Sequence, residues 1–129
     1  MTYNDQPINV LWGIFKPTTS KDIPVYKEFL KEDENSTPLQ GYIILKTSVS
    51  DNTKVFGDGK TLLRVADCQV NLHTYGSNFN SNGKHLNNIK KIKTLLKSND
   101  INFTFMNLGF TDPYSEAVFD FRISYVEEN

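Results

Sequence analysis

The apolar positions change period along this chain, and each change marks a different kind of element. Between Ala66 and His73 the residues Ala66, Cys68, Val70 and Leu72 alternate with Asp67, Gln69, Asn71 and His73, the pattern of a strand with one apolar and one polar face. The end of the chain repeats it. Phe119, Phe121, Ile123 and Tyr125 point one way and Asp120, Arg122 and Ser124 the other, although Val118 and Val126 depart from the rule. From Lys84 the spacing becomes helical: Leu86, Ile89, Ile92, Leu95 and Leu96 form one stripe, and Lys84, Lys90, Lys91 and Lys97 fall mostly on the opposite side. Ser98-Asn99-Asp100 ends that helix. Another helix opens at Pro7, whose missing N–H is no loss in a first turn, and Ile8, Leu11, Trp12 and Phe15 follow at helical spacing. Val10 and Ile14 lie on a different side, so this helix is apolar nearly all round and needs cover from another subunit or from the segment Pro17 to Lys21. Pro17 ends it.

Two strands are longer than a small domain requires. Tyr42 to Val49 and Leu62 to Tyr75 both exceed the usual length of about five or six residues. Between them, Asp51-Asn52 and Gly57-Asp58-Gly59 supply residues that tolerate positive φ or form side-chain turns, so the pair reads as a hairpin whose tip projects as an arm. Ile23 to Leu30 suits an edge strand, given Pro24 near its start. Ile101 to Phe110 alternates loosely as a strand, and Thr111-Asp112-Pro113-Tyr114 turns the chain into the last one. Lys31 to Pro38 and Gly76 to Gly83 read as loops. These elements predict one α+β domain over residues 1–129: an antiparallel sheet of four to five strands, two helices packed on one face, and a projecting β-hairpin arm.

Composition narrows the picture further. A chain of 129 residues can bury a single core without staples. Its 14 Lys and Arg against 15 Asp and Glu leave a net charge of -1, without the basic footprint of a dedicated nucleic-acid binder. Cys68 is the one cysteine, which excludes an intrachain disulfide and zinc-ligand spacing and fits intracellular synthesis. The stretch before Pro17 has no basic leader, and its apolar part is too short for a signal peptide or a membrane span. A soluble protein with no membrane partner is expected.

Several residue groups invite a chemical reading, and their spacing argues against each. Gly59-Lys60-Thr61 has Lys54 where a phosphate loop needs its first glycine, and a strand follows where that motif needs a helix. Asp51 and Asp58 suggest a calcium loop, but Thr53 and Val55 occupy the ligand positions after Asp51. Cys68 and His73 lie on opposite faces of one strand, so they cannot converge as nucleophile and base. Cys68 is expected in the core, and His73 and His85 as partly exposed residues. Asp112, Glu116 and Asp120 form no recognisable acid/base pair. The lysine side of the second helix has no aromatic interleaved with it, unlike a strand-binding nucleic-acid surface. The expectation is a protein that is not an enzyme, with no catalytic residue, cofactor or metal.

The stretch SVSDNTKVFGDGKTLLRVADCQVNLHTYG, followed by a lysine-rich helix and a final strand, resembles the tail-completion family of long-tailed bacteriophages, whose members are tail terminator or tail-to-head joining proteins. The matching positions are Asp51, Asn52, Phe56, Gly57, Asp58, Gly59, Lys60, Arg64, Val70, Leu72 and Thr74, and the likeness spans roughly residues 20–126. The resemblance implies a structural virion protein. Its subunits, monomers in solution, would form a homo-hexameric ring that terminates the tail tube and joins it to the head connector protein, with DNA only passing through the lumen. It would be made in the host cytoplasm and end in the virion tail or neck. On this view the interaction residues are Val10, Ile14, Asn52, Lys54, Val55, Phe56, Asp58 and Lys60. A connector stopper or other neck protein would share the ring and differ in its partner. A small ligand-binding or enzymatic α+β domain would instead show a concave pocket with convergent polar groups.

Overall fold

The structure, a computed structural model, describes residues 2–16, 24–27, 41–55, 61–76 and 83–128. The elements are β1 (Thr2–Tyr3), α1 (Pro7–Phe15), β2 (Val25–Lys27), β3 (Gly41–Val55), β4 (Thr61–Tyr75), α2 (Lys84–Ser98), β5 (Phe103–Thr111) and β6 (Tyr114–Glu128). The strands form one sheet in the order β1-β6-β4-β3-β2, with β5 also paired to β6. One edge of β6 meets β4 along its length, and the other is shared, β5 taking Tyr114 to Phe121 and β1 taking Ser124 and Tyr125.

The α+β class holds, but the sheet is six-stranded and mixed: β1 runs parallel to β6 and β2 parallel to β3. β1, of two residues, is too short to display an alternation, whereas the edge strand expected over Ile23 to Leu30 is described as β2 at Val25–Lys27 and runs parallel to β3. Their placement also explains α1. β1 and β2 lie at opposite ends of the strand order, so the segment that contains α1 must cross the sheet, and α1 itself packs on β3 and β2. Four strand spacings amount to about 19 Å, of which the nine residues of α1 extend about 13 Å.

The core follows the predicted alternation. Register sets Leu45, Val70 and Phe119 in one row and Ile43, Leu72 and Ala117 in the next, with Cys68 beside Phe121 and Ala66 beside Ile123, and all of them are buried. Leu11 and Phe15 of α1 and Ile89, Ile92 and Leu96 of α2 join the same cluster. α2 stops in a motif that pairs its last carbonyls: Asp100 takes φ 56°, its N–H donates to Lys97 O at 3.1 Å, and the N–H of Ile101 donates to Leu96 O at 2.9 Å. The buried Ile101 and Leu96 supply the apolar contact that accompanies this cap.

Two expectations about buried faces are corrected. Leu86 is 53% exposed, while His85 is fully buried. The buried line of α2 runs through His85, Ile89, Ile92 and Leu96, and at about 100° per residue Leu86 lies well to one side of its centre. Asn71, placed on the polar face, is only 9% exposed, because its amide is held inside that face by Gln69.

Candidate interaction surface

β3, β4 and β6 each contain 15 residues, a reach of about 50 Å, whereas α2, of equal residue count, covers only about 22 Å. Among the residues whose side chains are described, fully buried positions reach Leu45 on β3, Ala66 on β4 and Tyr125 on β6, and the strands continue beyond them. Pairing persists there, from Thr53↔Arg64 to Val55↔Leu62 and from Leu62↔Glu127 to Thr61↔Glu128. Arg64 Nε meets Glu127 Oε2 at 2.7 Å within this extension. A register shift between Val49 and Thr53 interrupts the β3–β4 ladder.

The polar face is cross-linked row by row. Arg122 Nε donates to Asp67 Oδ1 at 2.7 Å, Gln69 Nε2 donates to Asp120 Oδ1 at 2.9 Å, and Asn71 Nδ2 donates to Gln69 Oε1 at 2.9 Å. At the end of this ladder the face turns aromatic. Tyr42 stacks on His73 with centroids 4.3 Å apart, and Tyr114 stands edge-on to Tyr42 at 5.2 Å and to Tyr75 at 5.8 Å. His73 Nε2 lies 3.2 Å from Glu116 Oε1. Burial lowers the His73 pKa, the Glu116 carboxylate pulls it partly back, and Lys46 adds to the lowering. At neutral pH the ring is therefore neutral, and its Nε2–H donates to Glu116. With Nδ1 buried, the imidazole is a pin between strands and presents no nitrogen to an incoming substrate.

The other candidate reacting groups lie apart. Cys68 is buried on the core face, where burial, with Asp67 adding, pushes its pKa to about 12; such a thiol is inert. His85 Nδ1 sits 2.9 Å from Thr74 Oγ1, and burial lowers its pKa while Asn107 partly restores it. Glu116 is engaged with His73 and Asp120 with Gln69, and Asp112 lies in the β5–β6 turn. Among the described residues no group of three or more His, Cys, Asp or Glu is placed to hold a metal ion.

Of the residues named from sequence, Val10 and Ile14 are half-buried against the core cluster. Asn52, Lys54 and Val55 belong to the outer end of β3, with Lys54 opposite Leu63 and Val55 opposite Leu62. Phe56, Asp58 and Lys60 lie outside the described residues. Sequence reasoning missed the exposed apolar residues of β5, Met106, Leu108 and Phe110. The signal that could have found them is nine consecutive residues without a charge.

The chain matches no protein-family profile and no curated protein. Among the described residues no helix is long and apolar enough to cross a membrane.

Proposed function

We propose that this chain is a structural virion protein, the ring-forming subunit that terminates the tail tube of a long-tailed bacteriophage and joins it to the head connector. The observation that carries the reading is the length of β3, β4 and β6, 15 residues each, with backbone pairing kept out to Val55↔Leu62 and Thr61↔Glu128. A lone two-stranded ribbon is marginal in water, and here the third strand stiffens the base of the arm. The resemblance at Asp51 to Thr74 supplies the phage context, and the arm carries Asn52, Lys54, Val55, Phe56, Asp58 and Lys60 toward a neighbour.

A head-to-tail ring needs two different complementary surfaces on each subunit. The arm is one, and the half-exposed flank of α1 with Val10 and Ile14 is suited to be the other. Val55 and Phe56 sit between Asn52 and Gly57, where a free tip would be polar. Burying side chains of this size contributes roughly 1.5–3 kcal/mol each, repeated at every interface of the ring.

Phe56→Asp, or deletion of Thr53 to Gly57, is expected to leave a folded subunit that neither forms the ring nor docks on tail tube protein. Native mass spectrometry with and without tail tube protein reads this, with circular dichroism as the check on folding. Normal assembly and capping by both variants would reject the arm as the assembly element. Docking on a head-side adaptor instead of the tail tube would reassign the subunit to the neck.

A further inference from the structure

β5 is an edge strand: one side pairs with β6, and among the described residues no strand occupies the other. Such edges recruit other strands and are commonly blunted by charged side chains, proline or bulges. β5 carries no charge and no proline; its nine residues read FTFMNLGFT. Pairing with β6 is regular from Phe103↔Phe121 to Asn107↔Ala117. The irregularity comes after it, between Asn107 and Gly109, where the Gly109 N–H donates to Asn107 Oδ1 at 3.2 Å. The half of the edge from Phe103 to Asn107 is therefore left unblunted, and Met106 within it is 62% exposed. α2 adds charge to this edge. Leu86, Lys90, Lys93 and Lys97 recur at helical spacing and form one line along the helix. That line adjoins β5: Lys93 Nζ lies 4.3 Å from the ring centroid of Phe105, which stands beside Phe119 on the core face. His85, near the start of α2, lies beside Asn107, so the helix runs alongside the strand with its lysines toward the regular half. α2 and β5 together hold five lysines and no acidic residue; the other nine basic residues and all 15 acidic ones lie elsewhere. The net charge of -1 hides this local excess.

We infer that this edge takes an acidic, extended segment of a partner protein, paired as an added strand along Phe103 to Asn107. The side chains of an added strand alternate between the two faces of the sheet. Those on the core side meet the lysine line of α2, which selects carboxylates; those on the other side meet Met106, beside Val118, which selects apolar groups. A second copy of β5 brings no carboxylate to the lysines. A nucleic-acid strand would bring phosphates but leave the edge backbone unpaired. It would also lack a ring to stack on, because Phe105 already lies between Lys93 and Phe119. The site does not use the arm, so it stands or falls separately from the ring reading.

Fluorescence anisotropy of a labelled peptide of alternating Asp and Val, about six residues long, titrated with the full chain tests this. Saturable binding that weakens as salt rises is expected, and the same peptide with Lys in place of Asp should not bind. Methylating alternate peptide nitrogens removes the donors along one edge of the peptide only. One phase of methylation should therefore abolish binding and the other leave it intact. Lys90→Glu combined with Lys97→Glu, both exposed positions, should weaken binding by about tenfold or more with unchanged circular dichroism. A peptide that does not bind overturns the inference. So does binding that the double lysine variant leaves unchanged, or that both methylation phases affect equally. A single-stranded oligonucleotide that binds more tightly than the peptide and displaces it would assign the lysine line to phosphates and overturn the inference as well.

Discussion

Leu86 and Leu96 are the same residue type on the same helix, and the sequence stripe gives them equal standing; in the structure one is 53% exposed and the other fully buried. Truncating each to alanine separates the two descriptions of α2. Leu96 packs in the core cluster with Ile89, Ile92 and residues of the sheet, so Leu96→Ala removes buried methyl groups and leaves a cavity, at a cost of about 2–5 kcal/mol. Leu86→Ala removes little buried surface and gains slightly in helix propensity, for a change within about 0.5 kcal/mol. With a urea slope of about 2 kcal/mol per M, a loss of about 3 kcal/mol moves the midpoint by about 1.5 M. That is a large share of a domain stability of about 5–15 kcal/mol.

His85→Ala supplies the third measurement. It leaves the buried Thr74 hydroxyl without the ring nitrogen 2.9 Å away, at about 1–3 kcal/mol for the unpaired group. Urea unfolding of the three variants, followed by circular dichroism with slopes compared, is the assay. If Leu86→Ala costs as much as Leu96→Ala while His85→Ala is neutral, α2 is rotated from the orientation described and the reasoning fails.

His73 and His85 both have pKa values lowered by burial in the folded state. The unfolded chain therefore binds more protons below the ordinary histidine value of about 6.5. Stability should be level above that pH and decline as pH falls through the window down to the folded values; the pH dependence of the urea midpoint measures it, and His73→Gln with His85→Gln should flatten the histidine part of the slope. An unchanged slope in that double variant would remove the histidines as its source. Cys68, pushed from 9.0 to about 12, should carry about a thousandfold less thiolate than an unperturbed thiol near pH 8. It should resist a thiol reagent until the protein unfolds, and rapid labelling of the native protein would contradict its burial.

What was legible in the sequence is what a single strand or helix records by itself. Ala66 to Leu72 and Phe119 to Tyr125 alternate because each faces one core, and both sets are buried as read. The alternation of β6 becomes visible only from Val118, because Ser115 and Ala117, buried on the core face, do not contrast in size or polarity with their neighbours. β1 owes its existence to β6, not to any pattern of its own, and β2, legible as an edge strand, takes its parallel direction from β3. The placement of His85 inside and Leu86 outside reflects a partner hydroxyl on β4, which no periodicity in α2 encodes. β5 reads as an ordinary strand, and its exposed apolar edge follows only from lying last in the sheet order on its side of β6.

The position of β6 changes what the long hairpin is. From sequence, the two runs on either side of Asp51 to Gly59 are neighbours in the chain and would pair as a local, self-sufficient unit. In the sheet, β4 is held on its other side by β6 from Tyr75↔Tyr114 to Thr61↔Glu128. The strand that holds β4 along its whole length is thus the last in the chain, and the ion pair of Arg64 with Glu127 ties the two beside the buried Tyr125. The side chains of this pair are about a third exposed, and a partly screened pair adds only modestly to the paired backbone. Contacts between distant segments close late and slowly in folding. β4, paired on both sides, accordingly becomes fully ordered only once β6 has joined the sheet.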